Sequence, residues 1–495
     1  MLGKRAIPLG KWVPDNTFWN QDTVSEALNV IPQANGYRPL PALVGDGDAL
    51  TNRVRGAMTF RKDDTDTETL AANKTKVYHR QSDLSWTDIS GVVSLSTDAS
   101  SGFITFAQYG DYAIILNGVD TPYKWDYAAA TGNMAALGGS PPAARYAAVL
   151  FDFLILGHLD TEENAVQWCS VGNIEEWIPG TRLGDKQVFP DGGRVMGVFG
   201  GERVVVFQER KVRLGLFNPG SPETINFDVI SEEIGNVSYR GAAQIGDVVF
   251  FIAHSGFHKV EGARVIPIAD EATNRWFKDF SNSSRTSRAV CSINILEKLV
   301  IWSFFSSDMV AANVDEEYPD HSVMYHWPTK QWSHAAMGFD SPFDVSQTPL
   351  GLEDLDGIGT LEVLTESLDS GTYNNEVLGS QYSVFNSNSQ MATMTGANLQ
   401  ADITLLRRQS AAPHRQLIEG LYPICDAANV QGALGARSTI DDTPVVTSYV
   451  SKETSGHIPF HSSARMHDIH LRIPAGDTWS FINGVYVDAE KDGEL

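Results

Sequence analysis

The chain has 495 residues, 42% hydrophobic and 20% charged, which is too apolar for a disordered protein and long enough for two or three domains. Its 37 Lys and Arg against 61 Asp and Glu leave a net charge of −24, a surface that repels polyanions and is ill suited to gripping a DNA backbone. Three scattered cysteines, Cys169, Cys291 and Cys425, form no CxxC pair, so neither a disulfide framework nor a zinc cage is indicated, and burial as small hydrophobes is expected.

The first residues, Met1-Leu2-Gly3-Lys4-Arg5 and then Ala6-Ile7-Pro8-Leu9-Gly10, are too short and broken an apolar run for a signal-peptide core. The stretch from Trp12 to Leu43 is rich in Pro, Asn and Gly. It reads as an extended arm with at most one short helix, near Thr23 to Leu28. The longest apolar stretch, Tyr146 to Leu159, is interrupted by Asp152 and His158 and falls short of a bilayer span.

From about Val54 a repeating shape takes over: a hydrophobic strand, a tight turn with an acid at its tip, and a second strand of four or five apolar residues. The turn acids are Asp111, Asp152, Glu202, Asp247 and Glu297, roughly 40–50 residues apart, the period of propeller blades with several strands per unit. Gly110 and Gly246 before the acids supply the positive φ that two-residue hairpins need. Each unit adds an outer strand with aromatics, as in Tyr123-Lys124-Trp125, Val166-Gln167-Trp168, Phe257-His258-Lys259-Val260 and Tyr325-His326-Trp327. A further unit precedes these at Lys76 to Arg80 with Trp86 to Ile89, and a ragged one follows around Leu361 to Tyr373. A hairpin sheet cannot bury both faces alone, and radial stacking covers them.

After about Asn386 the repeat is lost. Alternating strands such as Ala401 to Leu406 and His467 to Ile473, ending in Gly484 to Val487, read as a separate β-sandwich-like domain. The expected architecture is therefore all-β: an arm and docking segment over residues 1–53, a β-propeller of about six blades over 54–385, and a C-terminal β-sandwich-like domain over 386–495.

Several phrases along the chain resemble a family of phage virion proteins. They are Trp12-Val13-Pro14-Asp15, Gly36-Tyr37-Arg38-Pro39-Leu40-Pro41, Glu176-Trp177-Ile178-Pro179-Gly180, Phe189-Pro190-Asp191-Gly192-Gly193, Asn274-Arg275-Trp276-Phe277 and Ile473-Pro474-Ala475-Gly476. The chain resembles the tail tubular protein B and packaged-DNA stabilisation proteins of short-tailed bacteriophages. That resemblance implies a structural virion protein made in the host cytoplasm, forming the distal tail nozzle as a homo-hexamer around passing double-stranded DNA. It further implies docking to a head-to-tail adaptor protein, support for tail fibres or a tail needle, and no chemistry or cofactor of its own. Trp12, Tyr37 and Arg38 are the candidate adaptor-docking residues. Asp63, Asp64, Asp66, Glu68, Glu353, Asp354 and Asp356 are the candidate acidic wall that would keep DNA on the axis.

Candidate chemistry is sparse. Ser367-Leu368-Asp369-Ser370-Gly371-Thr372-Tyr373 approximates the hairpin turn of sialidases, the basis of an alternative reading as a carbohydrate-binding or sialidase-like propeller that recognises a receptor. His457, His461, His467 and His470 form the densest histidine cluster. Gly456 and Pro459 argue against a helical metal pair there, and His467 alternates in phase with Ile469 and Leu471, as a packed strand residue does. Asp354-Leu355-Asp356-Gly357 begins like a calcium loop without its full ligand ladder. No phosphate-binding loop, HExxH helix or GxSxG elbow occurs.

Overall fold

The computed structural model describes residues 5–14, 23–62, 67–96, 102–220, 223–309, 317–346, 380–409, 415–439 and 442–492. Among these, strands dominate, with one α-helix, Glu271–Phe280, and one 3-10 helix, Ser283–Arg288.

Seven four-stranded antiparallel units follow one another. Six are contiguous in sequence, over residues 56–88, 105–136, 144–188, 195–231, 242–267 and 290–335, and are blades 1 to 6. Blade 7 takes Asp340–Ser346, Ser380–Phe385 and Gln390–Thr393, and its fourth strand is Val44–Ala49 from near the other end of the chain. The first strand of every blade faces a common axis, because all seven line one central cavity.

The second strands show why the blades must stack. In Tyr112–Leu116, Ala113 and Ile115 face a core shared with blade 1, whereas Ile114 and Leu116 face one shared with blade 3. Val204 and Val206 point toward blade 3, Val205 and Phe207 toward blade 5. Leu299 and Ile301 meet blade 7, and Val300 and Trp302 meet blade 5. A strand buried on both faces needs apolar residues at consecutive positions, which is the run of four or five seen in each repeat.

Ring closure corrects two expected boundaries. Ala49 lies opposite Gln390, Gly45 opposite Ala392 and Val44 opposite Thr393, and the Gln390 side-chain amide donates to the Gly47 carbonyl at 2.7 Å. The limit at 386 thus falls inside blade 7, and the limit at 53 separates its fourth strand from the other three. The ragged repeat expected at Leu361 to Tyr373 lies outside the described residues.

The N-terminal stretch is likewise no free arm. Arg5–Pro8, Val30–Gln33 and Gly36–Pro39 join Arg415–Cys425, Ile458–Ala464 and Ile482–Asp492 in one sheet. Val24–Leu28, expected as a helix, is a strand paired with Ala401–Gln409, and its tertiary partner overrides local preference. The sheet holding it also contains Met466–Ile473 and Gln431–Arg437, and continues into blade 6 through Leu28 opposite His334. The two sheets share a core with Ile403, Ile469 and Leu471 on one side and Ile418, Leu421 and Val485 on the other, contiguous with the core of blades 5 and 6.

Trp12 pins this junction. It is 1% exposed, stands edge-on to Trp276 at 4.9 Å, stacks on His334 at 5.0 Å, and donates from its indole nitrogen to the Ser25 carbonyl at 3.1 Å. The Asp270 carboxylate, accepting from the Thr273 amide at 2.9 Å, caps the helix that presents Trp276. Trp12→Ala is expected to cost about 3–5 kcal/mol of unfolding free energy, measured by urea titration. A flexible arm would give a change near zero.

Candidate functional site

The inner strands enclose a cavity of about 670 Å³, within the range of small-molecule pockets. Its walls are largely apolar, with Met58, Phe106, Phe199 and Phe343 beside the amides of Gln108 and Gln244. No carboxylate lines it among the described residues.

Side chains from four blades close one end of the cavity. Arg240, in the lead into blade 5, reaches across the axis and pairs with Asp340 at the start of blade 7. The same guanidinium lies 5.8 Å from the Phe103 ring at the entry to blade 2, and approaches the Arg55 carbonyl beside blade 1 at 3.4 Å. Arg53 takes the other Asp340 oxygen through both Nε, at 3.0 Å, and Nη2. Asp340 is fully buried, which by itself raises its pKa, but Arg240 and Arg53 outweigh burial and hold it at about 2. Tyr146 seals a further side, its hydroxyl donating to the Tyr239 carbonyl at 3.0 Å.

Charge is sorted along the axis. Four of the five repeat acids, Asp111, Asp152, Glu202 and Asp247, sit exposed on inner hairpin tips at the open end, and the fifth, Glu297, pairs with Arg38. At the opposite end an arginine lies at or within two residues of the start of five inner strands: Arg55, Arg145, Arg194, Arg240 and Arg288. Sequence reading found the acids and missed the arginines. The signal was present, since the inner strands of blades 3 to 6 each open near an arginine and close at an acid.

The other candidates scatter. Trp12 and Tyr37 are core residues at 1% and 0% exposure, so burial removes their rings from any docking role, and Arg38 is held by Glu297. Glu68 lies on the second strand of blade 1, 2.5 Å from His79 Nε2 and away from the cavity lining. Asp63, Asp64, Asp66, Glu353, Asp354 and Asp356 lie outside the described residues, as does Ser367 to Tyr373. His467 is buried and held at about 4 by desolvation, with Ser462 Oγ 3.2 Å from Nε2. His470 Nδ1 lies 3.0 Å from Thr404 Oγ1, and the His457 ring lies tilted against Tyr422 with centroids 4.9 Å apart. Among the described residues no three His, Cys, Asp or Glu side chains converge as a metal site, and no helix is long and apolar enough to cross a membrane.

No family model and no curated protein matches the chain. Among solved structures, YCF48 bound to D1 peptide aligns over 54% of this chain and 84% of its own at 12% identity and a TM-score of 0.30. The extracellular domain of BT4673 from B. thetaiotaomicron aligns over 77% of this chain and 41% of its own at 7% identity and a TM-score of 0.42. The strand order, four-stranded antiparallel blades set around one axis, is that of a propeller. The chain is a β-propeller protein.

Two outcomes follow from the buried titratable groups of this protein. Asp340→Asn leaves two buried guanidinium groups without their carboxylate and is expected to cost about 3–5 kcal/mol in urea unfolding, against under about 0.5 kcal/mol for Asp111→Asn at an exposed tip. His467 binds its proton more weakly folded than unfolded, so its contribution is complete above about pH 6.5 and is lost as pH falls toward 4. Melting temperature should drop across that window, and His467→Gln should flatten the drop. The Asp340 contribution fades only below about pH 4.

Proposed function

We propose that this chain is a wall-forming subunit of the tail nozzle of a short-tailed bacteriophage, arranged as a six-membered ring around passing DNA. The observation that carries the reading is the closed axis: Arg240 and Asp340 bar the propeller's own centre, so DNA passes beside such a subunit and never through it. A rigid block with exposed carboxylates at Asp111, Asp152, Glu202 and Asp247 on one face, and a net charge of −24, suits a surface that a duplex must slide past without sticking. The phrases that resemble those of nozzle proteins support the same reading. A ring repeats one heterologous contact until it closes, and the head-to-tail adaptor and the fibres or needle are its neighbours along the tail.

Imaging of tails containing this chain should find six copies around one central channel. One central copy, or a peripheral spike, overturns the reading. If the acid-tipped face borders the channel, Asp111→Lys, Asp152→Lys and Asp247→Lys together should slow DNA ejection at low salt. The effect should fade as the screening length shrinks toward roughly 8 Å at physiological ionic strength.

The alternative reading, a carbohydrate-binding propeller that recognises a receptor, draws on the open aromatic cavity with Gln108 and Gln244 at its wall. Saturable glycan binding lost in Phe106→Ala would favour it.

A further inference from the structure

The cavity inside the propeller is graded along its axis. Its floor carries Arg240, the one charged side chain among the described residues that line it. Both terminal nitrogens of that guanidinium are engaged, by Asp340, by the Arg55 carbonyl at 3.4 Å and by Ser341 Oγ at 3.4 Å, and the group repels a cation that comes deep. Above it, Met58, Phe106, Phe199 and Phe343, from blades 1, 2, 4 and 7, make the wall apolar. At the mouth the inner strands end in tips that bear Asp111, Asp152, Glu202 and Asp247, all exposed. Asp247 shares its charge with Arg203 at 3.5 Å. Among the described residues no cation pairs with Asp111, Asp152 or Glu202.

We propose that this cavity binds a compact organic cation, an apolar body with one ammonium group at its outer end. The body leaves water for the wall of Met58 and the three phenylalanines. Aromatic faces also attract an ammonium that comes within about 6 Å of a ring centroid. The tip acids draw the charged end toward the mouth, and Arg240 opposes the inverted orientation. Exposed acids alone would attract any cation loosely and be screened by salt; the enclosed apolar wall is what makes the site selective. A sugar is served less well. The Gln108 amide already donates to the Arg61 carbonyl at 2.8 Å and the Tyr127 hydroxyl at 2.6 Å, and the Gln244 amide to the Gly200 and Gly246 carbonyls at 2.8 and 2.9 Å. The site goes beyond the nozzle reading and stands whether or not subunits close into a ring.

The test is isothermal titration of the full chain, at neutral pH and low ionic strength, with three ligands that share one phenylbutyl body: the amine, the alcohol and the carboxylic acid. The amine, protonated at this pH, should fill one saturable site about fivefold or more tighter than the alcohol, with the carboxylate weakest. Phe199→Ala should weaken amine and alcohol alike, by about tenfold, through lost apolar contact. Asp111→Asn, Asp152→Asn and Glu202→Gln together should erase the preference for the amine and leave the affinity for the alcohol unchanged. Absence of saturable amine binding overturns the proposal. So does a carboxylate bound as tightly as the amine, an affinity undiminished in Phe199→Ala, or a preference that survives neutralisation of the tips. If Phe199→Ala fails to fold, the ligand series and the exposed tip variant decide. None of these outcomes bears on the number of copies in a tail, which imaging reads separately.

Discussion

The carboxylate of Asp340 is the constraint on which the ring depends. It belongs to blade 7, the one blade assembled from both ends of the sequence, and it is gripped by Arg53 at the entry to blade 1 and Arg240 at the entry to blade 5. A propeller built only from neighbour-to-neighbour packing has no direct tie across its centre. Here a charged tie exists, and it lies where the ring must close. The desolvation cost of burying three ionised groups is offset only while both arginines and the backbone amide of Ser341 remain in place. The arrangement therefore favours one closed geometry over looser alternatives.

That same tie divides the axis into two unlike ends. Toward the hairpin tips the cavity is open, aromatic and rimmed by acids. Toward the blade entries it is plugged and basic. A protein with a large negative net charge thus gathers arginines at one end of its axis and acids at the other, and average composition says little about that arrangement.

The repeat was legible because its physics is local. A second strand packed on both faces must be apolar at successive positions, and a two-residue turn favours Gly before an acid, so the hairpins from Phe106 to Trp302 stand out. The seventh blade was not legible because its strands are dispersed. Val44–Ala49 reads Val-Gly-Asp-Gly-Asp-Ala, turn chemistry by composition, and becomes a strand only because Gln390–Thr393 lies beside it. Trp12 and Tyr37 looked available for docking because their segment is rich in Pro and Gly, yet their partners come from remote parts of the chain: Trp276 and His334 around Trp12, and Ile482 opposite Tyr37. The site divided the same way. The tip acids follow from hairpin spacing, whereas nothing around Phe339-Asp340-Ser341 marks the one carboxylate that bars the axis.

The interleaving of the two ends has a consequence for synthesis. Val44–Ala49 has no sheet to join until residues 390–393 exist, and Arg5–Pro8 pairs with the last described strand, Ile482–Asp492. At ribosomal speeds of about 5–20 residues per second, these early strands wait on the order of tens of seconds with their edges open. Contacts so distant in sequence also close slowly once formed chain permits them. Arg5–Pro8 and Val44–Ala49 thus emerge as segments that find their sheets only after their late partners are made, and blade 7 becomes a checkpoint that a chain stopped before residue 390 does not pass.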